Sequence, residues 1–269
     1  MPSRRAPLVL LLSVAVVRSG EGHRPEAVRY ELPRATVLFE RGSLSGEQME
    51  RFAGLVEKGI ADIETYLGGA PERRARIVYR VSSTVRMSRA YRRTVLLPME
   101  RVQADSAPYL HETTHVLLPT RCDCLWLGEG FASYVQSYVS ENLGGYDGAV
   151  FSRGGNRQVD RYARRHLGRE SGRAVLPYVG GSGSPPRIES ERRRVAAPFY
   201  VLSHSFAKFL VARAGLAAVR DAHRARDAPA AIERATGVTV DRLKAEWLAS
   251  LGHADAARAA TRGGPAPAP

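Results

Sequence analysis

The chain holds 269 residues, 44% of them hydrophobic and 25% charged, and carries a net charge of +13. That apolar content is too high for general disorder and is enough for one large domain or two lobes. Arginine supplies 37 of the 40 basic residues. A bias so general reads as genome composition, and with no aromatic interleaving or known motif, nucleic acid is not an expected partner. The two cysteines, Cys122 and Cys124, exclude a disulfide scaffold.

Residues 1–20 read as an export signal, which predicts a secreted or cell-envelope protein. Arg4 and Arg5 make a basic start, Ala6 to Val17 is an almost continuous apolar run, and Ser19 and Gly20 are small enough for cleavage. The run is shorter than the roughly 20 residues that span a bilayer as a helix. An uncleaved anchor or a buried N-terminal strand is the alternative. Residues 36–40 then read as a short strand. Residues 46–67 read as a helix with Phe52, Leu55, Val56, Ile60, Ile63 and Leu67 on one side, stopped by Gly68 and Gly69. Strands follow at 76–81 and 94–97, the second ended by Pro98.

Asp105 or Ser106 can cap the next helix, with Pro108 in its first turn. This helix, ending before Pro119, carries His111-Glu112-Thr113-Thr114-His115. Positions i and i+4 share one helix face. His111 and His115 can therefore reach one Zn²⁺ at about 2.0–2.1 Å. Glu112, beside the first imidazole, can take a proton from a metal-bound water. The bland reading is a helix with two solvated histidines. A zinc site needs a third protein ligand, and Glu129 is the candidate. It lies in Trp126-Leu127-Gly128-Glu129-Gly130-Phe131-Ala132-Ser133-Tyr134, at the start of a helix predicted over 129–142 whose apolar stripe is Phe131, Tyr134, Val135 and Tyr138. A buried carboxylate needs a partner or a metal; a glutamate placed near a helix N-terminus by the dipole is the alternative.

These two blocks resemble the gluzincin metallopeptidases of the peptidase MA-like clan, which includes aminopeptidase N. That family joins HExxH to a helix with W-L-N-E-G-F-A-x-Y. The resemblance implies that His111, His115 and Glu129 hold zinc and that Glu112 is the general base. Gly128 replaces the family's usual Asn, and Gln136 stands where Glu is usual. Thirteen residues separate His115 from Glu129, fewer than in the aminopeptidases. The stretch Phe199 to Leu210 resembles the family's Y-x-K-G-x-x-x-x-x-x-L helix, here predicted over 199–213. The resemblance puts Tyr200 at the oxyanion of the tetrahedral intermediate. Ser203 replaces the Gly and the Lys is absent, so a core or groove tyrosine is the other reading. Residues 235–248 resemble the clan's closing segment, with Leu243 and Trp247 at i and i+4 of a helix over about 239–250.

Cys122 and Cys124 lie one residue apart, where an ordinary disulfide would be strained. They read as loop thiols or a bridge formed on export; a ligand or redox-latch role is the alternative. Residues 153–194 hold 11 Arg against 4 acidic residues and include a Gly/Ser/Pro run, so they read as a basic, solvated insertion. Such a stretch could also meet an anionic envelope surface. Residues 253–269 read as a disordered tail.

The order of elements predicts an α+β architecture, which the resemblance refines to a thermolysin-like zincin catalytic domain over 30–252. A small sheet lobe with the HExxH helix would precede a helical lobe, with the cleft between them. The expected function is exported, zinc-dependent hydrolysis of peptide or protein substrates, by Glu112-assisted attack of zinc-bound water. The nearest match to an aminopeptidase's G-x-M-E-N strand is residues 97–101, which lack the Gly and the Asn, so a standard aminopeptidase is not favoured. The alternative is a catalytically silent zincin-fold protein that binds anionic envelope polymer or membrane. A purely structural zinc would need a fourth ligand from Cys122 or Cys124.

Overall fold

A computed structural model describes residues 13–16, 27–42, 44–69, 76–146, 155–181 and 189–253. Of the expected export segment only residues 13–16 fall within it, and they form a strand of the sheet, as the alternative reading of that run has it, so cleavage near residue 21 would remove that edge strand; the expected tail lies outside the described residues apart from residue 253. Strands β1 (Ser13–Val16), β2 (Ala27–Glu31), β3 (Ala35–Glu40), β4 (Ile77–Ser82), β5 (Arg89–Tyr91) and β6 (Thr94–Pro98) make one sheet in the order β1-β2-β3-β4-β6-β5. The β3–β4 and β4–β6 pairs are parallel and the other three antiparallel. Along β4, buried Ile77, Tyr79 and Val81 alternate with Val78, Arg80 and Ser82, which puts one face in the core. The sequence reading foresaw β3, β4 and β6. It missed β2, whose alternate positions carry Arg29 and Glu31, and β5, which is three residues long and mostly exposed.

A parallel pair needs a crossover. Helix α1 (Gly46–Tyr66) supplies it between β3 and β4, and a capping box between Ser45 and Gln48 starts it. Its inner face buries Phe52, Val56, Ile60 and Ile63 as predicted, together with Glu57 and Glu64. Arg34 satisfies both carboxylates: its backbone N–H and Nη1 donate to Glu57 and its Nε to Glu64, at 2.8–3.2 Å.

Helix α2 (Met99–Gln103) follows β6 without a linker, so residues 97–101 are a strand end turning into a helix rather than a continuous strand edge. Helix α3 (Tyr109–Leu117) carries both histidines. Neither Asp105 nor Ser106 caps it. Pro108 is the N-cap and makes no side-chain cap bond, while the Asp105 carboxylate pairs with Arg51 on α1. Helix α4 (Leu125–Asn142) starts four residues before the predicted position. Gly128 and Gly130, which flank Glu129, both sit inside the helix. A Cβ on Gly128 would meet Thr120 Oγ1 at 2.9 Å, and one on Gly130 would meet the carbonyl of Ser203 at 2.3 Å. Close packing, not a turn, requires glycine at these two places.

In the basic stretch 153–194, expected as a solvated insertion, the described residues form α5 (Gly155–Leu167), α6 (Glu170–Val175), a short 3-10 turn (Leu176–Tyr178) and the start of α7 (Glu189–Ala214). Val159, Ala163, Leu167 and Val175 are buried, so an apolar stripe runs beneath the arginines. The Gly/Ser/Pro run lies largely in residues 182–188, outside the described residues. Helix α7 begins ten residues before the expected 199 and continues through Pro198. Its packing on α4, α5 and α6 outweighs the proline's local cost. Helices α8 (Leu216–Arg224), α9 (Ala228–Thr236) and α10 (Val240–Ser250) complete the chain. In α10, Leu243 and Trp247 are buried as expected. Trp247 packs on Phe206 of α7 at 5.1 Å between ring centres, Phe206 packs on Trp126 of α4 at 5.3 Å, and Trp247 Nε1 donates to Ser205 Oγ. The fold is α+β, with the sheet and α1–α3 preceding a helical lobe. Among the described residues no helix is long and apolar enough to cross a membrane.

Candidate metal centre

The site begins with how α3 is held. Gly59 of α1 lets α3 approach, since a Cβ there would meet Leu110 at 2.6 Å. Tyr109 packs edge-on against Phe52, and the hydroxyls of Tyr79 and Thr113 hydrogen-bond at 2.6 Å. On its other side α3 meets β5, β6 and α4. The face that α3 turns to α4 carries His111 and His115, one turn apart.

Helix α4 brings Glu129 to that face, in the second turn of the helix rather than the first. His111 Nε2 lies 3.0 Å from Glu129 Oε2 and 3.1 Å from His115 Nε2, and His115 Nε2 lies 3.6 Å from Glu129 Oε1. All three predicted ligands thus converge, with their donor atoms within 4.8 Å of one another. Ser133, one turn after Glu129, places Oγ 3.4 Å from His111 Nδ1. With Nδ1–H directed to Ser133, the His111 Nε2 lone pair faces the cluster. Gln136, one turn further, accepts the backbone N–H of His111 at 3.0 Å. The residue that departs from the family pattern therefore ties α4 to α3.

Glu112 is buried beside the cluster, and the backbone N–H of Ala90 in β5 donates to its carboxylate. Burial raises its pKa, outweighing the pull of His111 and His115. Burial pushes Glu129 the same way, but hydrogen bonds and charge from His111 and His115 prevail and hold it well below the carboxylate range. The two neighbouring carboxylates are thus shifted in opposite directions.

The cluster opens into a cleft of about 900 Å³ between the sheet edge and the helical lobe. Tyr200, 37% exposed on α7, lines this cleft together with His111, Glu112, His115 and Glu129. All five predicted site residues therefore share one cavity. Cys122 and Cys124, in the α3–α4 connection, are joined as a disulfide and so offer no thiolate ligand. Ser133, the Ala90 backbone, and the arginines of segment 86–92 and α2 that line the cleft were missed by sequence reading. Ser133 lay within the quoted motif, where its spacing from Glu129 was a usable signal. The others come from elements with no motif.

No family model and no curated protein matches the sequence. Solved structures do resemble it. One is a two-domain M1 zinc metallopeptidase mutant bound to L-arginine, at 15% identity and a TM-score of 0.44, covering 96% of this chain and 53% of that one. Another is an M1 zinc metallopeptidase mutant from Deinococcus radiodurans bound to a Tyr-Ser-Ala substrate, at 16% identity, 93% and 50% coverage and a TM-score of 0.41. A third, an M1 zinc metallopeptidase from the same organism, has 18% identity, 96% and 54% coverage and a TM-score of 0.42. The present chain spans about half the length of these proteins.

Proposed function

We propose that this chain is an exported zinc-dependent metallopeptidase that hydrolyses peptide bonds in peptide or protein substrates. The observation that carries the reading is the convergence of His111, His115 and Glu129, with Glu112 buried alongside. Two imidazoles and one carboxylate are the complement of a catalytic zinc site, which keeps a position open, whereas structural sites take four protein ligands. With the two cysteines joined, the three-ligand reading is the one the donors fit. Zinc bound there would act as a Lewis acid towards water and the substrate carbonyl.

The protein's own groups do the rest. Glu112 accepts the proton of the attacking water and passes it to the leaving amine, a role suited by its raised pKa. The Tyr200 phenol faces the cleft and can donate to the developing oxyanion. Ser133 and Gln136 hold His111 in place from its ring and its backbone. Among the described residues that line the cleft the acids are Glu112 and Glu129; Glu100 of the 97–101 stretch is exposed and not one of them.

The test is metal analysis beside a degenerate-peptide cleavage profile, with and without chelator. The parent should contain one zinc and lose activity to chelator. Glu112→Gln should keep its zinc and lose turnover by a factor of at least about 10²; cleavage at the parental rate would remove Glu112 from the mechanism. Export is tested by recovering the protein outside the cytoplasm with an N-terminus near residue 21.

One observation supports the rival reading of an anionic envelope surface. Arg157, Arg161, Arg164 and Arg165 fall on one exposed face of α5, and none is in an ion pair among the described residues. Salt-sensitive binding to anionic polymer without any peptide hydrolysis would favour it.

A further inference from the structure

Four arginines surround the mouth of the cleft. Arg86, Arg89 and Arg92 come from the segment that contains β5, and Arg101 comes from α2. All four are exposed and none is in an ion pair among the described residues. Elsewhere arginine is often neutralised: Arg29 and Arg76 by Glu31, Arg34 by Glu57 and Glu64, Arg51 by Asp105, and Arg213 and Arg242 by Glu246. Among the described residues that line the cleft the acids are Glu112 and Glu129, and those two carboxylates are committed to the catalytic cluster. A concave, partly desolvated wall carrying charge of one sign focuses its field on whatever enters. The same lip exposes Met87 at 58% and Tyr91 at 65%, and the Arg92 guanidinium lies 5.3 Å from the Tyr91 ring centre. Cationic groups alternate here with apolar surface, which suits a chain whose side chains alternate in the same way.

We infer that the cleft selects acidic peptides, segments with Asp or Glu on the residues flanking the bond presented to Glu112. This deepens the peptidase reading and rests on it. Arginine's planar fork fits carboxylates in pairs of hydrogen bonds, which makes charge and shape act together. The lip, rather than the metal cluster, sets the preference.

The experiment uses the zinc-loaded full chain carrying Glu112→Gln, so that binding is read without turnover. Two fluorescent peptides are compared, one containing Asp and Glu and its twin with Asn and Gln at the same positions. The acidic peptide should bind about tenfold tighter at low salt, with the gap narrowing as salt rises. Replacing Arg86, Arg89 and Arg101 together with glutamine should bring the ratio close to one, whereas replacing them with lysine should retain most of it. Arg164→Gln with Arg165→Gln on α5, outside the cleft lining, should leave the ratio where it was. Equal binding of the two peptides by the parent would overturn the inference. So would an α5 double variant that lowers the ratio as much as the lip triple, since net charge alone would then account for it. Absence of hydrolysis in a parent that still discriminates would count against the peptidase reading alone.

Discussion

At the candidate metal site, Glu129, His111 and Glu112 each have neighbours that explain their state. Glu129 is charged because two imidazoles face it, His111 is oriented because Ser133 and Gln136 hold it, and Glu112 is proton-hungry because it is buried. Tyr200 differs: it is the half-open group on the opposite wall. If its phenol donates to the oxyanion, Tyr200→Phe should lower kcat by about 10²-fold while zinc content and KM stay near the parental values. Single-turnover kinetics with a cleaved reporter peptide would decide this, and an unchanged kcat would leave Tyr200 as a groove tyrosine. The two candidate histidine ligands were legible in the sequence because helix geometry turns a spacing of four into a shared face, and Glu129 because its motif resembles a family pattern. The lip arginines were not legible, since in a chain with 37 Arg no single one stands out until the fold gathers four of them.

Elements follow the same logic at larger scale. Long apolar stripes announced α1 and the later part of α4, and alternation announced β4. What failed was the placing of starts: α4 and α7 begin four and ten residues before their expected positions. Gly130, packed inside α4 against Ser203 of α7, yields a paired prediction. Gly130→Ala forces a methyl into the Ser203 carbonyl and should cost about 1–3 kcal/mol, with α4 pushed off α7. Gly54→Ala, inside α1 with no atom within 4 Å of the added carbon, should instead stabilise by about 0.5–1 kcal/mol. Urea unfolding of both variants checks the contrast; equal effects would show that helix propensity alone is at work. Helices α5 and α6 escaped the sequence reading because exposed arginines such as Arg157, Arg161, Arg164 and Arg165 hide a narrow buried stripe.

At the scale of the whole molecule, burial sets a pH response. Burial lowers His204 and His223 to a pKa of about 3. His204 faces Asp160, Lys208 and His111; His223 faces His115 and Arg224. In the unfolded chain both return to about 6.5. Between those values the unfolded state holds protons that the native state refuses. Their contribution is therefore complete above pH 6.5 and is lost as pH falls towards 3, by up to about 1.4 kcal/mol per pH unit for each histidine. Urea midpoints measured between pH 7.5 and 4.5 in chelator should fall, and His223→Asn should make the slope shallower. A variant with the parental slope would exclude His223 as a source.

The α+β order and the cleft between its two parts were legible from the succession of strands and helices. The centrality of α7 was not, because its first ten residues read as loop. This helix packs against α4, α5, α6, α8, α9 and α10, and near its middle it carries Tyr200. One rod is thus both the axle of the helical half and a bank of the channel where substrate would lie. Such a bank cannot yield to a bulky visitor without loosening everything wound around it. Accommodation of differently shaped guests therefore falls to the thin rim across the gap, whose short outermost strand hangs from a single neighbour.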